Sequence, residues 1–405
     1  MLAPERRSRV DLLAAVAIAL VVLLTAGVIW LRSDARGTTS VTATTPATPA
    51  ESALSVPESL SEAWRAGSGA TTAPITVGGA VVTADEGTVT GHDPVTGDEI
   101  WHYRRDMPLC GAIGAWNTAV AVYRDRSGCG QVTQLDGSTG SRQAQRNSDA
   151  DDVVELSEDG TYATSRGSTR MELWRSDLVR TLEYGRVDAP VNPKAQPRTD
   201  CALRSSGSSS SRLAVVERCS DEPADRLSVQ NPAPKDNTEP EEYGTTVLPD
   251  AGDGVRVIAV SGDRTALYLP PAPGGQARIG VYDGSGVLED QYPVSGDVSP
   301  AATATKAGSL FLWWTGSRVT ALRTTDFTPA WSFDGALGPG TVMAGEILVP
   351  VADGVAVLDQ TSGAQTRLIP VHRDIAAPDA GAPVVPSVLG TMVLEQRGDE
   401  LVALH

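Results

Sequence analysis

The chain opens on its longest apolar run and then changes character. Residues 12–31 read LLAAVAIALVVLLTAGVIWL without a charge, and twenty helical residues span about 30 Å, the thickness of a bilayer's hydrocarbon core. The run predicts a transmembrane helix. Arg6, Arg7 and Arg9 precede it and Trp30 sits at its far end, which makes residues 1–11 a cytoplasmic tail and the rest of the chain extracytoplasmic. Arg32 and Arg36 follow the run, so the charge bias is modest. A cleaved signal peptide is the rival, but it needs an apolar region of roughly 7–15 residues ending in small residues, and Val28-Ile29-Trp30-Leu31 fits that poorly. The run therefore reads as an uncleaved signal anchor. No Cys follows it to carry a lipid. Residues 32–58 are rich in Thr, Pro, Ala and Ser without apolar periodicity, which predicts a flexible linker.

From residue 59 the pattern becomes short alternating segments separated by turn residues. The clearest unit, AVVTADEGTVTGHDPVTGDEIWHY, begins at Ala80 and holds three strands joined by turns at Asp85-Glu86-Gly87 and Asp93-Pro94-Val95-Thr96-Gly97-Asp98. The same strand-and-turn grammar returns at Val132, Met171, Arg226, Ile279, Val319 and Val355. A repeat near 40 residues is the signature of propeller blades. An eighth unit is split between the ends: Glu400-Leu401-Val402-Ala403-Leu404 stops where a last strand should follow, and Leu60-Ser61-Glu62-Ala63-Trp64 resembles that strand. The expectation is an all-β, eight-bladed β-propeller over residues 59–405, with seven blades as the alternative, closed by its own termini.

Composition sharpens this picture in two places. The 405 residues include 40 Gly and 27 Pro, which favours many short elements over long helices. A net charge of −17 argues against nucleic-acid binding, which needs a basic surface, and makes a basic or neutral partner more natural. Cys110, Cys129, Cys201 and Cys219 fall into two couples with near-equal gaps. Four cysteines allow three connectivities. Each couple sits at the start of one strand and just after the next, so 110–129 and 201–219 are the predicted disulfides. No zinc-like spacing occurs, and disulfides suit an exported domain.

The turns Asp93-Pro94-Val95-Thr96-Gly97-Asp98-Glu99-Ile100-Trp101 and Asp359-Gln360-Thr361-Ser362-Gly363 resemble the D-x-x-T-G-x-x-x-W repeat of pyrroloquinoline-quinone-like (quinoprotein-like) β-propellers. Arg142-Gln143 and Val287-Leu288-Glu289 depart from it, with no aromatic residue after the glycine. The arrangement is similar to membrane-anchored propellers of actinobacteria, and the resemblance extends to a propeller lipoprotein that supports outer-membrane protein assembly without catalysis. Quinone dehydrogenases of the family carry an adjacent Cys-Cys pair, which is absent here. No cofactor is expected.

The candidate sites are few. Trp64, Trp101 and Trp331 stand at turns and read as packing between blades. Adjacent strand residues face opposite sides, so one of Trp313 and Trp314 is expected to be exposed. The insertion NPAPKDNTEPEEYG, which starts at Asn231, has no apolar face and is expected to project, offering Asn237, Glu239, Glu241, Glu242 and Tyr243 as a partner surface. Asp149, Asp151 and Asp152 suggest calcium ligands but lack a ligand loop. The histidines at 92, 102, 372 and 405 form no metal or catalytic motif. Together these readings point to a non-enzymatic binding or assembly scaffold in the cell envelope with a protein partner. An enzyme or small-ligand receptor using the central funnel is the alternative.

Overall fold

The computed structural model describes residues 8–31, 33–188, 190–374 and 381–405. Arg6 and Arg7 of the predicted tail and Arg32 after the helix lie outside the described residues. The apolar run forms the helix Arg9–Leu31, about 35 Å long at 1.5 Å per residue, with none of its residues buried. It begins three residues before the predicted span because Ser8 and Asp11 cap it reciprocally, with the Ser8 N–H donating to Asp11 and the Asp11 N–H to Ser8. By length and composition this helix is able to cross a membrane.

The rest of the chain is an eight-bladed β-propeller. Blades 1 to 8 comprise residues 75–105, 109–147, 155–185, 202–247, 256–293, 303–334, 341–370 and 384–404, each sheet antiparallel, with its first strand innermost. First strands of neighbouring blades meet around the axis, as in blades 1 and 2, 2 and 3, 4 and 5, and 8 and 1. Every repeat recognised after the first unit begins on the third strand of a blade, from Gly128–Asp136 in blade 2 to Gly354–Asp359 in blade 7. Blade 8 supplies three strands from the C-terminus, and Glu62–Gly67 completes it against Glu400–Leu404. The ring thus closes without an open seam, as the split repeat predicts.

Two faces follow from the topology. The turn face carries the turns between first and second and between third and fourth strands. The link face carries the second-to-third turns and the connections between blades. Both disulfides, Cys110–Cys129 and Cys201–Cys219, lie toward the link face and tie the start of a first strand to the start of the third strand in blade 2 and to the residue after the second strand in blade 4.

The segment expected to be a flexible linker is instead laid along the propeller. Thr38–Val41 adds a fifth, outermost strand to blade 1, pairing Thr38 with Arg105 and Val41 with His102. The chain then crosses the turn face, where Ala43 and Ala47 donate N–H bonds to the carbonyls of Thr139 and Ser138. It passes beside Gly79 of blade 1 and Gly390 of blade 8, whose bare Cα atoms leave room for its backbone. Val56 and Leu60 end buried among Met343, Leu348, Val393 and Leu404. The sequence hid this because the strap is held mainly by main-chain bonds to other turns, with few apolar anchors to form a pattern.

The strap also fills a gap. A blade's third and fourth strands are normally joined by a turn, which blade 8 lacks because its third strand is Glu400–Leu404 and its fourth is Glu62–Gly67. Ser61 and His405 pair through two main-chain bonds of 2.9 Å across that gap, and Arg367 of blade 7 donates to the Val56 carbonyl at 2.9 Å.

Candidate functional site

The turn face is built on one repeated contact. Trp64, Trp101 and Trp331 occupy the same position on the outer strands of blades 8, 1 and 6, one residue past a bulge. Each indole N–H donates at 3.0 Å to a carbonyl in the next blade's turn, those of Pro94, Gly137 and Gln360 respectively. Each ring lies over that turn's last glycine, Gly97, Gly140 or Gly363, all at positive φ, where any Cβ would collide with the indole. An aspartate opens each turn by accepting main-chain N–H bonds, as Asp136 does from Ser138 and Thr139. Burial works to raise the pKa of Asp136, but the bonds from Ser138 and Thr139 outweigh it and hold the carboxyl below its usual range.

Where the tryptophan is missing, another group takes its place. Gly244 stands at the docking position of blade 4. There Arg212 donates from Nε to the Gly284 carbonyl at 3.1 Å, and its guanidinium lies 3.9 Å from the centre of the Tyr243 ring. Tyr243 is therefore half-exposed but already engaged by its own chain.

The other predicted partner residues are also used internally. The loop containing Asn237 folds onto the outer edge of blade 3 rather than projecting. The Glu183 N–H donates to the Asn237 carbonyl at 2.8 Å, and Arg180 donates to its side chain, which covers an edge strand's free donors. Glu241 accepts from Asn231 and from the Lys235 N–H, and Glu242 pairs with Arg198. Glu239, Glu241, Glu242 and Tyr243 are all exposed, and Glu239 uses its N–H on the Asp236 carbonyl.

Trp313 and Trp314 are both buried, at 2% and 3% exposure, which corrects the expectation that one faces solvent. Alternation still sends them to opposite sides. Trp313 packs against Tyr268 of blade 5, while Trp314 donates to the Ala336 carbonyl and packs with Ile347 of blade 7. In a propeller both sides of an inner strand are covered by neighbouring blades, so opposite no longer means exposed.

Asp151 is structural: its carboxylate accepts the Thr169 N–H at 2.7 Å and the Thr169 hydroxyl at 2.6 Å. Among the described residues, one group of potential metal ligands is compact, Cys219, Asp221 and Glu222. Cys219 is in a disulfide and Glu222 pairs with Arg226, so no free ligand set results. His92 bonds Thr83 and the Gly97 carbonyl, and burial pushes its pKa down, keeping it neutral.

The link face has a different chemistry. Glu172 is buried beside Arg146, Arg170 and Arg180 and accepts the Trp174 N–H. Glu217 takes bonds from Arg198, Tyr184 and Ser228, and Glu395 from Arg373 and Arg397. These carboxylates have their charges matched within the fold.

The mouth of the central channel on the turn face is where polar groups converge without such matching. Glu158 ends the first strand of blade 3 with Asp159 just beyond it, Ser208 stands on blade 4, and Lys306 on blade 6 acts on Glu158 from a distance. Ser208 bonds Asp159. Water reaches the Glu158 carboxylate, but the surrounding channel walls partly desolvate it and raise its pKa, while Lys306 acts in the opposite sense. A cavity of about 460 Å³ opens beside it, lined by the first strands of blades 1 and 2 and by Trp116. Sequence reasoning missed this cluster, because its members come from separate blades. The one local signal is Trp116, a bulky residue preceding Asn117 in a two-residue turn.

No family model matches the chain, and a search of curated proteins finds no relative. Solved structures share the fold. BamB from Moraxella catarrhalis is 13% identical with a TM-score of 0.53, covering 85% of this chain and 99% of its own. Sqt1 from Saccharomyces cerevisiae is 9% identical with a TM-score of 0.52, and the C-terminal WD40 domain of Sif2 is 12% identical with a TM-score of 0.51. Each covers 86% of this chain and 99% of its own. At these identities the likeness establishes a β-propeller.

Proposed function

We propose that this protein is a membrane-anchored binding or assembly scaffold of the cell envelope, without catalysis, that presents its turn face away from the membrane to a protein partner. The observation that carries the reading is the path of the chain after the apolar helix. Residues 32–37 alone separate Leu31 from the strand Thr38–Val41, a reach of about 20 Å at most. That strand starts at the link-face end of blade 1, where the Asp106 N–H donates to the Gly37 carbonyl, and runs toward the turn face. A helix seated in the bilayer then holds the link face toward the membrane.

The fold and the disulfides suit an exported binding module, and the aspartate-led, tryptophan-docked turns resemble those of quinoprotein-like propellers. The predicted partner is an envelope or membrane protein, with the N-terminus cytoplasmic. Crosslinking in native membranes tests the reading: a discrete protein adduct supports it, and dye-linked dehydrogenase activity after quinone addition would oppose it.

A further inference from the structure

Trp116 packs in part against the apolar cluster between blades 2 and 3, and it and Glu158 are both held in place at the channel mouth. Trp116 has φ +50°, a left-handed conformation that bulky residues rarely adopt. The turn does not need an indole there. Asn117 does the joining, with its side-chain carbonyl accepting the Gly78 N–H at 2.7 Å and its main-chain carbonyl accepting the Gly137 N–H. Asparagine or glycine at position 116 would suit the backbone better. The indole N–H donates to the Thr161 carbonyl at 3.3 Å, which fixes the half-exposed ring against the turn that carries Glu158.

The Glu158 carboxylate accepts one main-chain N–H, from Gly160 at 2.7 Å. Among the described residues no cation lies within ion-pair distance of it, in contrast to Glu172, Glu217 and Glu395. Ring and carboxylate line the same cavity, together with Thr76 and Val77. An indole face beside an unpaired carboxylate in a sheltered, wet site is the chemistry that recognises an ammonium or guanidinium group. The net charge of −17 favours approach of a positively charged partner.

We propose that the turn-face mouth of the channel receives a lysine or arginine side chain from a basic segment of the partner protein, with Glu158 as its charge partner and Trp116 as its aromatic wall. This rests on the scaffold reading and adds the partner's chemistry to it. The test is calorimetric titration of the full chain in nanodiscs with a pentalysine peptide, with pentaglutamate as the control. Glu158→Gln and Trp116→Asn, the latter suited to the turn, should each weaken pentalysine binding about tenfold or more. Asp353→Asn, an exposed carboxylate on the link face, should leave it unchanged, and Glu158→Gln and Asp353→Asn should melt with the wild type, so that the loss in Glu158→Gln cannot come from unfolding. No pentalysine binding, or equal weakening by Glu158→Gln and Asp353→Asn, overturns the proposal. Native-membrane crosslinking separates the two claims: an adduct undiminished in Glu158→Gln and Trp116→Asn removes this site but keeps the scaffold, whereas no adduct in any variant removes the scaffold.

Discussion

Leu54 and Leu60 lie six residues apart in a stretch that composition treats as uniform, yet they should respond to mutation in opposite ways. Leu54 is 98% exposed and Leu60 is 7% exposed. Leu60 packs into a cluster with Met343, Leu348, Val355, Val357 and Leu404, joining blades 7 and 8 beside the strand that closes the ring. Leu60→Ala removes three buried carbons from a site whose neighbours belong to two different sheets and cannot collapse easily. Such truncations cost about 2–5 kcal/mol. An exposed substitution away from special features stays within about 0.5 kcal/mol, so Leu54→Ala should be silent. Thermal unfolding of the detergent-solubilised chain, followed by tryptophan fluorescence, reads the difference directly. Equal melting temperatures for the two variants would refute the docked strap and restore a flexible linker.

Other outcomes follow from the same architecture. Removing residues 401–405 exposes partners of Leu401, Val402 and Leu404, each at 1% exposure or less and worth about 1.5–3 kcal/mol; the truncated chain should fail to give a cooperative melt. Trp101→Ala should cost about 3–5 kcal/mol, and Trp101→Phe should recover most of it by losing mainly the bond to Gly137. Burial alone would raise the pKa of Glu395, but Arg373 and Arg397 hold it below the ordinary 4.5. Its contribution is therefore complete above that value and lost as pH falls through the depressed one. Glu395→Gln should destabilise by about 3–5 kcal/mol at neutral pH and flatten the acid limb of a stability–pH curve measured in urea.

The blades were legible because their signals are local. A third strand followed by an aspartate-led turn is written within a dozen residues, so Gly354–Asp359 and its turn at Gly363 announce themselves. Even the split blade could be read, since each half keeps its alternation. The misreadings concern what lies on the other side of a strand. Alternation reports that Trp313 and Trp314 point apart, but not that blades 5 and 7 cover both directions. The acidic, proline-rich loop around Asn237 lacks an apolar face because it docks through main-chain bonds to an edge strand. The strap was invisible for the same reason, and the channel mouth because Trp116 and Glu158 come together only once the ring has closed.

Orientation and partner binding can be tested together by placing a photoreactive amino acid at one of four exposed valines in the full chain. Val95 and Val287 stand on turns of the turn face, and Val153 and Val191 on connections of the link face. After irradiation of native membranes, discrete protein adducts are predicted from Val95 or Val287 and none from Val153 or Val191. Protein adducts confined to Val153 and Val191, or none from any position, would contradict a scaffold that turns its link face to the membrane.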